Sequence, residues 1–318
     1  MRTGAARRIL PVVLAAIALA GCDGDDAGMA PATATGEPGA GGALGWALAE
    51  RPRDLDPLAA DTRSEQLVTR QVHEPLTESL VGPFGDVRRL PGLSLTANGS
   101  ADDTIWRFKL RPGVRFQDGT PFNAGAVLAN GRRWLTTPAG RRLMPELFAV
   151  DSPRPNLVRF FVEQPDPLFP ERLAAPQTGI VSPRALRPSS GEGAVLRSQE
   201  RSGTGPFELR GSDGAAVLVA RNLAWWGTER ELGPALDQVE FRIVAEPAER
   251  FALLEGGDVQ LAEGLGPEQA AEARADPLLS VLPGPGADLG LERSVRGVDS
   301  AQEVPSLSGV WITRVGTD

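Results

Sequence analysis

The chain has 318 residues, a formal net charge of −8, 41% hydrophobic residues, one cysteine and one histidine. The acidic balance excludes nucleic acid as a partner, which needs clustered positive charge, and speaks against a basic patch on anionic lipid. A zinc site needs several His or Cys residues at tight spacing, and a Ser-His-Asp triad would have to use His73, so no metal, no cofactor and no enzymatic activity are expected.

Arg2, Arg7 and Arg8 precede an apolar run from Ile9 to Ala20, which closes on Leu19-Ala20-Gly21-Cys22. A basic start, a short apolar stretch and a small-residue cut site make an export signal over residues 1–21. Twelve apolar residues are too few to span a bilayer, which takes roughly 20. The lone cysteine at this place resembles a lipobox. That resemblance implies acylation of Cys22 and a protein held by lipid to the cell membrane, in the periplasmic space or on the outer face. An ordinary signal with a chance cysteine, or a short membrane anchor, are the competing readings. Residues 22–43 have almost no large apolar side chain and read as a flexible tether. Cleavage before Cys22 would leave 297 residues (318 less 21), enough for about two domains.

Structure is expected to begin near Leu44 with a short strand, followed by a turn at Leu55-Asp56-Pro57-Leu58. Residues 62–73 read as a helix capped by Asp61. His73, at its end before Pro75, reads as a surface or half-buried helix-end residue. Ile105 to Leu110 alternates apolar and polar side chains as a half-buried strand does. Arg111-Pro112-Gly113-Val114 turns, and Val114-Arg115-Phe116 is expected to return as the second strand of a hairpin. Residues 124–135 read as a helix with Asn123 at its N-cap and Val127, Leu128 and Leu135 on its buried face. Strands are expected at Val158–Phe161, Phe207–Leu209, Val217–Ala220 and Val239–Ile243, and helices at 247–255 and 267–274. Interleaved strands and helices make the class mixed α and β.

Several of these segments, in order, resemble the extracellular solute-binding protein family 5, the peptide- and nickel-type substrate-binding lipoproteins of ABC importers. They are Leu55-Asp56-Pro57, Glu74-Pro75-Leu76, the stretch Trp106 to Thr120 (WRFKLRPGVRFQDGT), Gly203 to Leu209 (GTGPFEL), Arg221 to Gly227 (RNLAWWG) and Ala252 to Val259 (ALLEGGDV). The chain departs from the family pattern at Gly125-Ala126 and at Gln260, where acidic residues are usual. The resemblance implies an α/β fold of the periplasmic-binding-protein type II kind, with mixed sheets, flanking helices and a truncated second lobe. On this reading residues 44–282 form the first lobe with its inserted subdomain. Residues 283–294 are a shortened linker in place of the second lobe, and residues 295–318 are a C-terminal return segment.

The ligand wall expected from the resemblance comprises Glu50 and Arg51 after the first strand, Gly203, Thr204 and Gly205, and Trp225 and Trp226. Glycines admit a close ligand backbone and paired tryptophans suit stacking. Tight-turn geometry and core packing are the competing explanations. Arg221, Arg230 and Arg242 are candidates for pairing a carboxylate. The function implied is a lipid-anchored, extracytoplasmic component of an ABC importer that binds a peptide or other small solute and meets ABC permease subunits. The alternative is a truncated binding fold that has lost its solute and acts as a protein-interaction or vestigial lipoprotein.

Overall fold

The computed structural model of the protein describes residues 41–53, 55–81, 87–189, 193–196, 201–228, 234, 236–283 and 289–293. The export signal, Cys22, most of the tether, Arg230 and the return segment 295–318 lie outside the described residues. In chain order the elements are β1 (Ala43–Leu48), α1 (Arg63–Val72), β2 (Thr77–Val81), β3 (Val87–Pro91), β4 (Ser94–Gly99) and β5 (Ile105–Leu110). Then come α2 (Ala124–Thr136), α3 (Pro138–Leu143), β6 (Leu147–Arg154), β7 (Leu157–Val162), α4 (Phe169–Arg172), β8 (Leu186–Ser189) and β9 (Gly193–Leu196). The last are β10 (Phe207–Ser212), β11 (Ala216–Arg221), β12 (Gln238–Ile243), α5 (Pro247–Gly256), β13 (Leu261–Leu265), α6 (Pro267–Ala275), β14 (Leu279–Pro283) and β15 (Leu289–Arg293).

The main sheet has seven strands in the order β10-β11-β12-β1-β13-β15-β14. β1 lies between two parallel neighbours, β12 and β13, and the other pairings are antiparallel. Side chains alternate across β1. Leu44, Trp46 and Leu48 join Val68 and Val72 of α1 in one core, and Ala47 joins Phe251 and Leu254 of α5 in a second core on the opposite face. The chain therefore leaves β1 toward one face and leaves β12 toward the other.

A second, antiparallel sheet has the order β4-β5-β7-β6. Its inner face packs on α2 around Phe108, Trp134, Phe160 and Phe169. Phe108 meets Phe160 edge-on at 5.4 Å between ring centroids, and Phe160 lies 5.5 Å from Phe169. Such pairs add about 1 kcal/mol each beyond the area they bury. The two cores are tied by an ion pair between Arg133 of α2 and Asp56, both buried, and Asp56 also accepts from the Leu58 amide at 3.1 Å.

Four expectations are corrected. The cap of α1 is Thr62 rather than Asp61: its hydroxyl accepts from the Glu65 amide, and Glu65 reaches back to the Thr62 amide, a capping box. Val114–Phe116 does not return as a strand. β5 already pairs with β4 on one edge and β7 on the other, so no edge is free, and Val114 and Phe116 turn into the core instead. His73 does cap the end of α1, but it is buried, with 2% of its surface exposed. Within the segment read as a linker, residues 289–293 form β15, which pairs antiparallel with both β13 and β14.

Candidate functional site

In open α/β sheets the crevice for a ligand lies outside the carboxyl ends of the strands, where successive connections leave toward opposite faces. Here that place is the carboxyl end of β1, β12 and β13. Glu50 and Arg51, directly after β1, are exposed there. Arg51 is close enough to Asp213, in the β10–β11 turn, to help hold that exposed carboxyl below its ordinary range, after the stronger effect of hydrogen bonds from the Ala215 and Ala216 amides. The rim therefore carries both signs of charge.

Beneath the rim lies a polar floor. Glu263 of β13 is buried and accepts from the Ala49 amide at 3.2 Å and from the Ser64 hydroxyl. Its other carboxyl oxygen faces the Arg63 Nε at 3.6 Å. Burial pushes the Glu263 carboxyl above the usual carboxylate range, against the pull of Ser64, Ala49, Arg63 and Arg250. Arg250 of α5 closes the floor from the other face. Its guanidinium donates to four backbone carbonyls, Val244 and Ala245 beyond β12 and Glu263 and Gly264 of β13, at 2.6 to 2.8 Å. Glu65 ties the exit of β1 to α1 by accepting from the Arg53 and Asp61 amides. Gln260, where the family usually has an acid, accepts from the Gly45 amide at 2.8 Å, a task either residue performs.

The other expected ligand contacts lie elsewhere. β11 runs antiparallel to β12, and β10 antiparallel to β11, so Gly203–Gly205 and Trp225–Trp226 sit at the amino end of β1, opposite Glu50 and Arg51. A Cβ on Gly203 would fall 1.7 Å from the Val72 carbonyl, and one on Gly205 would fall 2.4 Å from the Gln71 carbonyl. Glycine at both positions is explained by this close approach to the end of α1. Thr204 and Trp225 are buried, and the two indoles converge on Glu74. The Trp225 Nε1 donates to it at 3.1 Å and the Trp226 Nε1 at 2.9 Å. Burial pushes the Glu74 carboxyl up to about 8 even against these donors. Arg111 stacks over Trp226 at 4.1 Å from the ring centroid. Of the candidate arginines, Arg221 pairs with Asp237 and Arg242 with Glu240.

The His73 Nε2 lies 2.9 Å from the Ser202 hydroxyl, a spacing a nucleophile and its base could share. Both residues are interior, however, and burial pushes the imidazole down to about 4. Its Nδ1 meets no hydrogen-bonding group among the described residues, so no carboxylate orients the ring. The pair is a neutral packing contact.

The sequence pattern of "Bacterial extracellular solute-binding proteins, family 5 Middle" matches residues 89–296, about two thirds of the chain. The chain belongs to this family. The glutathione-binding protein GsiB of Escherichia coli strain K12 is 31% identical over 221 residues, covering 68% of this chain and 41% of that protein. The probable D,D-dipeptide-binding periplasmic protein DdpA of the same strain is 28% identical over 222 residues, covering 69% and 42%. Among solved structures, AgaA from A. tumefacien R10 with agropinic acid superposes with a TM-score of 0.65 at 24% identity, covering 76% of this chain and 48% of its own. The oligopeptide-binding protein AppA of Bacillus subtilis, with a nonapeptide, gives 0.64 at 18%, covering 77% and 48%. The chain thus spans about half the length of the relatives it matches. The likeness to the solved structures supports the periplasmic-binding-protein fold. Among the described residues no helix is long and apolar enough to cross a membrane.

Proposed function

We propose that this chain is the lipid-anchored, extracytoplasmic substrate-binding component of an ABC importer for peptides or a similar small solute. The family match over residues 89–296 carries this reading, and the two relatives named for glutathione and D,D-dipeptides point to short peptides. Glu50 and Arg51 are the proposed ligand contacts. A rim with both signs of charge suits a zwitterion, whose ammonium and carboxylate each need an opposite partner. Residues 1–21 act as the export signal, Cys22 carries the lipid, and residues 23–42 form the tether that leads into β1. Isothermal titration of the mature chain with glutathione and a panel of di- to pentapeptides is expected to yield a saturable exotherm. The Arg51→Ala variant should bind on the order of tenfold more weakly, as loss of one charge-assisted contact requires. A folded chain that takes up none of these at millimolar concentration counts against the reading.

Lipidation has its own test. In cells fed labelled palmitate, the wild-type chain is expected to take up label and Cys22→Ser to take up none. Globomycin should make the uncleaved, heavier precursor accumulate. A labelled Cys22→Ser chain, or a precursor indifferent to globomycin, argues for an ordinary signal.

A further inference from the structure

The net charge of −8 conceals a strong asymmetry. Between Val87 and Arg184 the chain has fourteen arginines and lysines against eight acids, and elsewhere nineteen against thirty-three. Part of this excess lies on one flat surface. The inner face of the β4-β5-β7-β6 sheet packs on α2, while its outer face is open: Lys109, Arg154 and Phe148 are exposed and Arg107 and Arg159 half-exposed. The pairing register orders the outer side chains into rows. Arg107 stands directly opposite Arg159, which stands opposite Asp151. Arg159 grips Asp151 through two bonds of 2.7 and 2.5 Å, which leaves Arg107 beside a like charge. Directly opposed like charges destabilise a sheet. Arg107 and Lys109 make no ion pair among the described residues. At the next row the surface turns apolar: Phe148, with 54% of its surface exposed, packs against Phe161 at 6.2 Å between ring centroids.

We infer that this outer sheet face docks on an anionic phospholipid bilayer. A planar array of cations with an exposed aromatic at its margin matches the two forces that hold peripheral proteins to lipid. These are attraction of Arg and Lys to acidic headgroups and insertion of an apolar side chain below them. Arg107, costly beside Arg159, and Lys109 gain partners on a surface of phosphates. The inference goes beyond solute binding, and it holds whether or not Cys22 is acylated.

The test is co-sedimentation of the mature chain, with Cys22→Ser so that no lipid is attached, on two kinds of vesicle at low salt. Association is expected with phosphatidylglycerol/phosphatidylethanolamine vesicles and not with phosphatidylcholine, and it should be lost at high salt. Arg107→Thr with Lys109→Thr, which keeps strand-forming residues, should weaken association about 25-fold, since each basic residue near an acidic surface contributes roughly fivefold. Phe148→Ser should weaken it further. Arg132→Gln with Arg142→Gln removes the same charge from the exposed side of α2 and α3, on the other layer, and should change nothing. Unchanged melting curves establish that the variants fold. Equal binding to both vesicles, binding to neither, or equal loss in both double variants would overturn the inference. A chain that ignores vesicles but dimerises in light scattering would assign the face to a second copy instead.

Discussion

Replacing Arg250 with methionine is expected to cost about 4 kcal/mol of folding free energy. Arg250 is 2% exposed as a residue, and its guanidinium satisfies four carbonyls at the carboxyl ends of β12 and β13. Methionine refills most of the volume, so the loss isolates the acceptors. A buried polar group left without a partner costs about 1 to 3 kcal/mol, and partial access of water to the contacts with Val244, Ala245 and Gly264 lowers the sum. For a fold of this size the melting temperature should fall by roughly 10 °C. Arg250→Lys should recover less than half of the loss. A single ammonium cannot reach carbonyls on two strands as a planar fork does. Urea unfolding followed by circular dichroism measures both. A methionine variant within about 1 kcal/mol of wild type would mean that the four contacts carry no net weight. The same substitution should also loosen the strand ends beneath Glu50 and Arg51, so solute affinity is expected to fall along with stability.

What the sequence made legible follows the range of the interactions. α2 shows its cap at Asn123 and its apolar spacing within one segment, β5 shows its alternation, and β7 and β11 show as short runs rich in strand formers. These are local signals, and the structure places the elements within two residues of the reading. β4 escaped because its sequence, SLTANG, has weak strand formers; it is held by pairing with β5 rather than by propensity. The false hairpin at Val114 has the converse cause. Pro112-Gly113 marks a turn correctly, but no sequence signal tells that both edges of β5 are taken. In the candidate site, Glu50 and Arg51 follow from their place after the first strand. Glu263 stands 214 residues from the Ala49 amide it accepts, and nothing near it announces that partner. One hint was available: a single carboxylate inside the apolar strand Leu261–Leu265 must find donors or lose its charge.

Glu74 is expected to make the protein less stable as pH rises through neutrality. Its carboxyl stands at about 8 in the fold against 4.5 ordinarily, because burial disfavours the charged form more than the Trp226, Thr204 and Trp225 donors favour it. A folded-state value above the unfolded one means that the fold holds a proton the unfolded chain releases. The stability linked to that proton is complete below about 4.5 and is lost as pH climbs through 8. Glu78, 2.8 Å from Arg70 and pushed up to about 7 by burial, acts with the same sign. His73 acts oppositely. Its value is depressed to about 4, so it costs stability as pH falls below its ordinary 6.5. Glu74→Gln separates these contributions. The amide oxygen still accepts from both indoles and cannot ionise, so the variant should lie within about 1 kcal/mol of wild type below about pH 4.5 and should be more stable than wild type by roughly 3 kcal/mol at pH 7, where only the unfolded wild-type chain has released its proton. Between about pH 7 and pH 8.5 wild type should lose on the order of 1 to 2 kcal/mol more than the variant, and the slope left in the variant belongs to Glu78. Glu74→Ala, by contrast, strands two indole N–H groups and opens a void, and should lie about 3 kcal/mol below Glu74→Gln at every pH, since neither variant titrates at this position. Melting curves of the three proteins across that interval decide the matter. Parallel pH profiles for wild type and Glu74→Gln would show that the buried carboxyl holds no proton at neutral pH, and the indole pair would then be clasping a carboxylate.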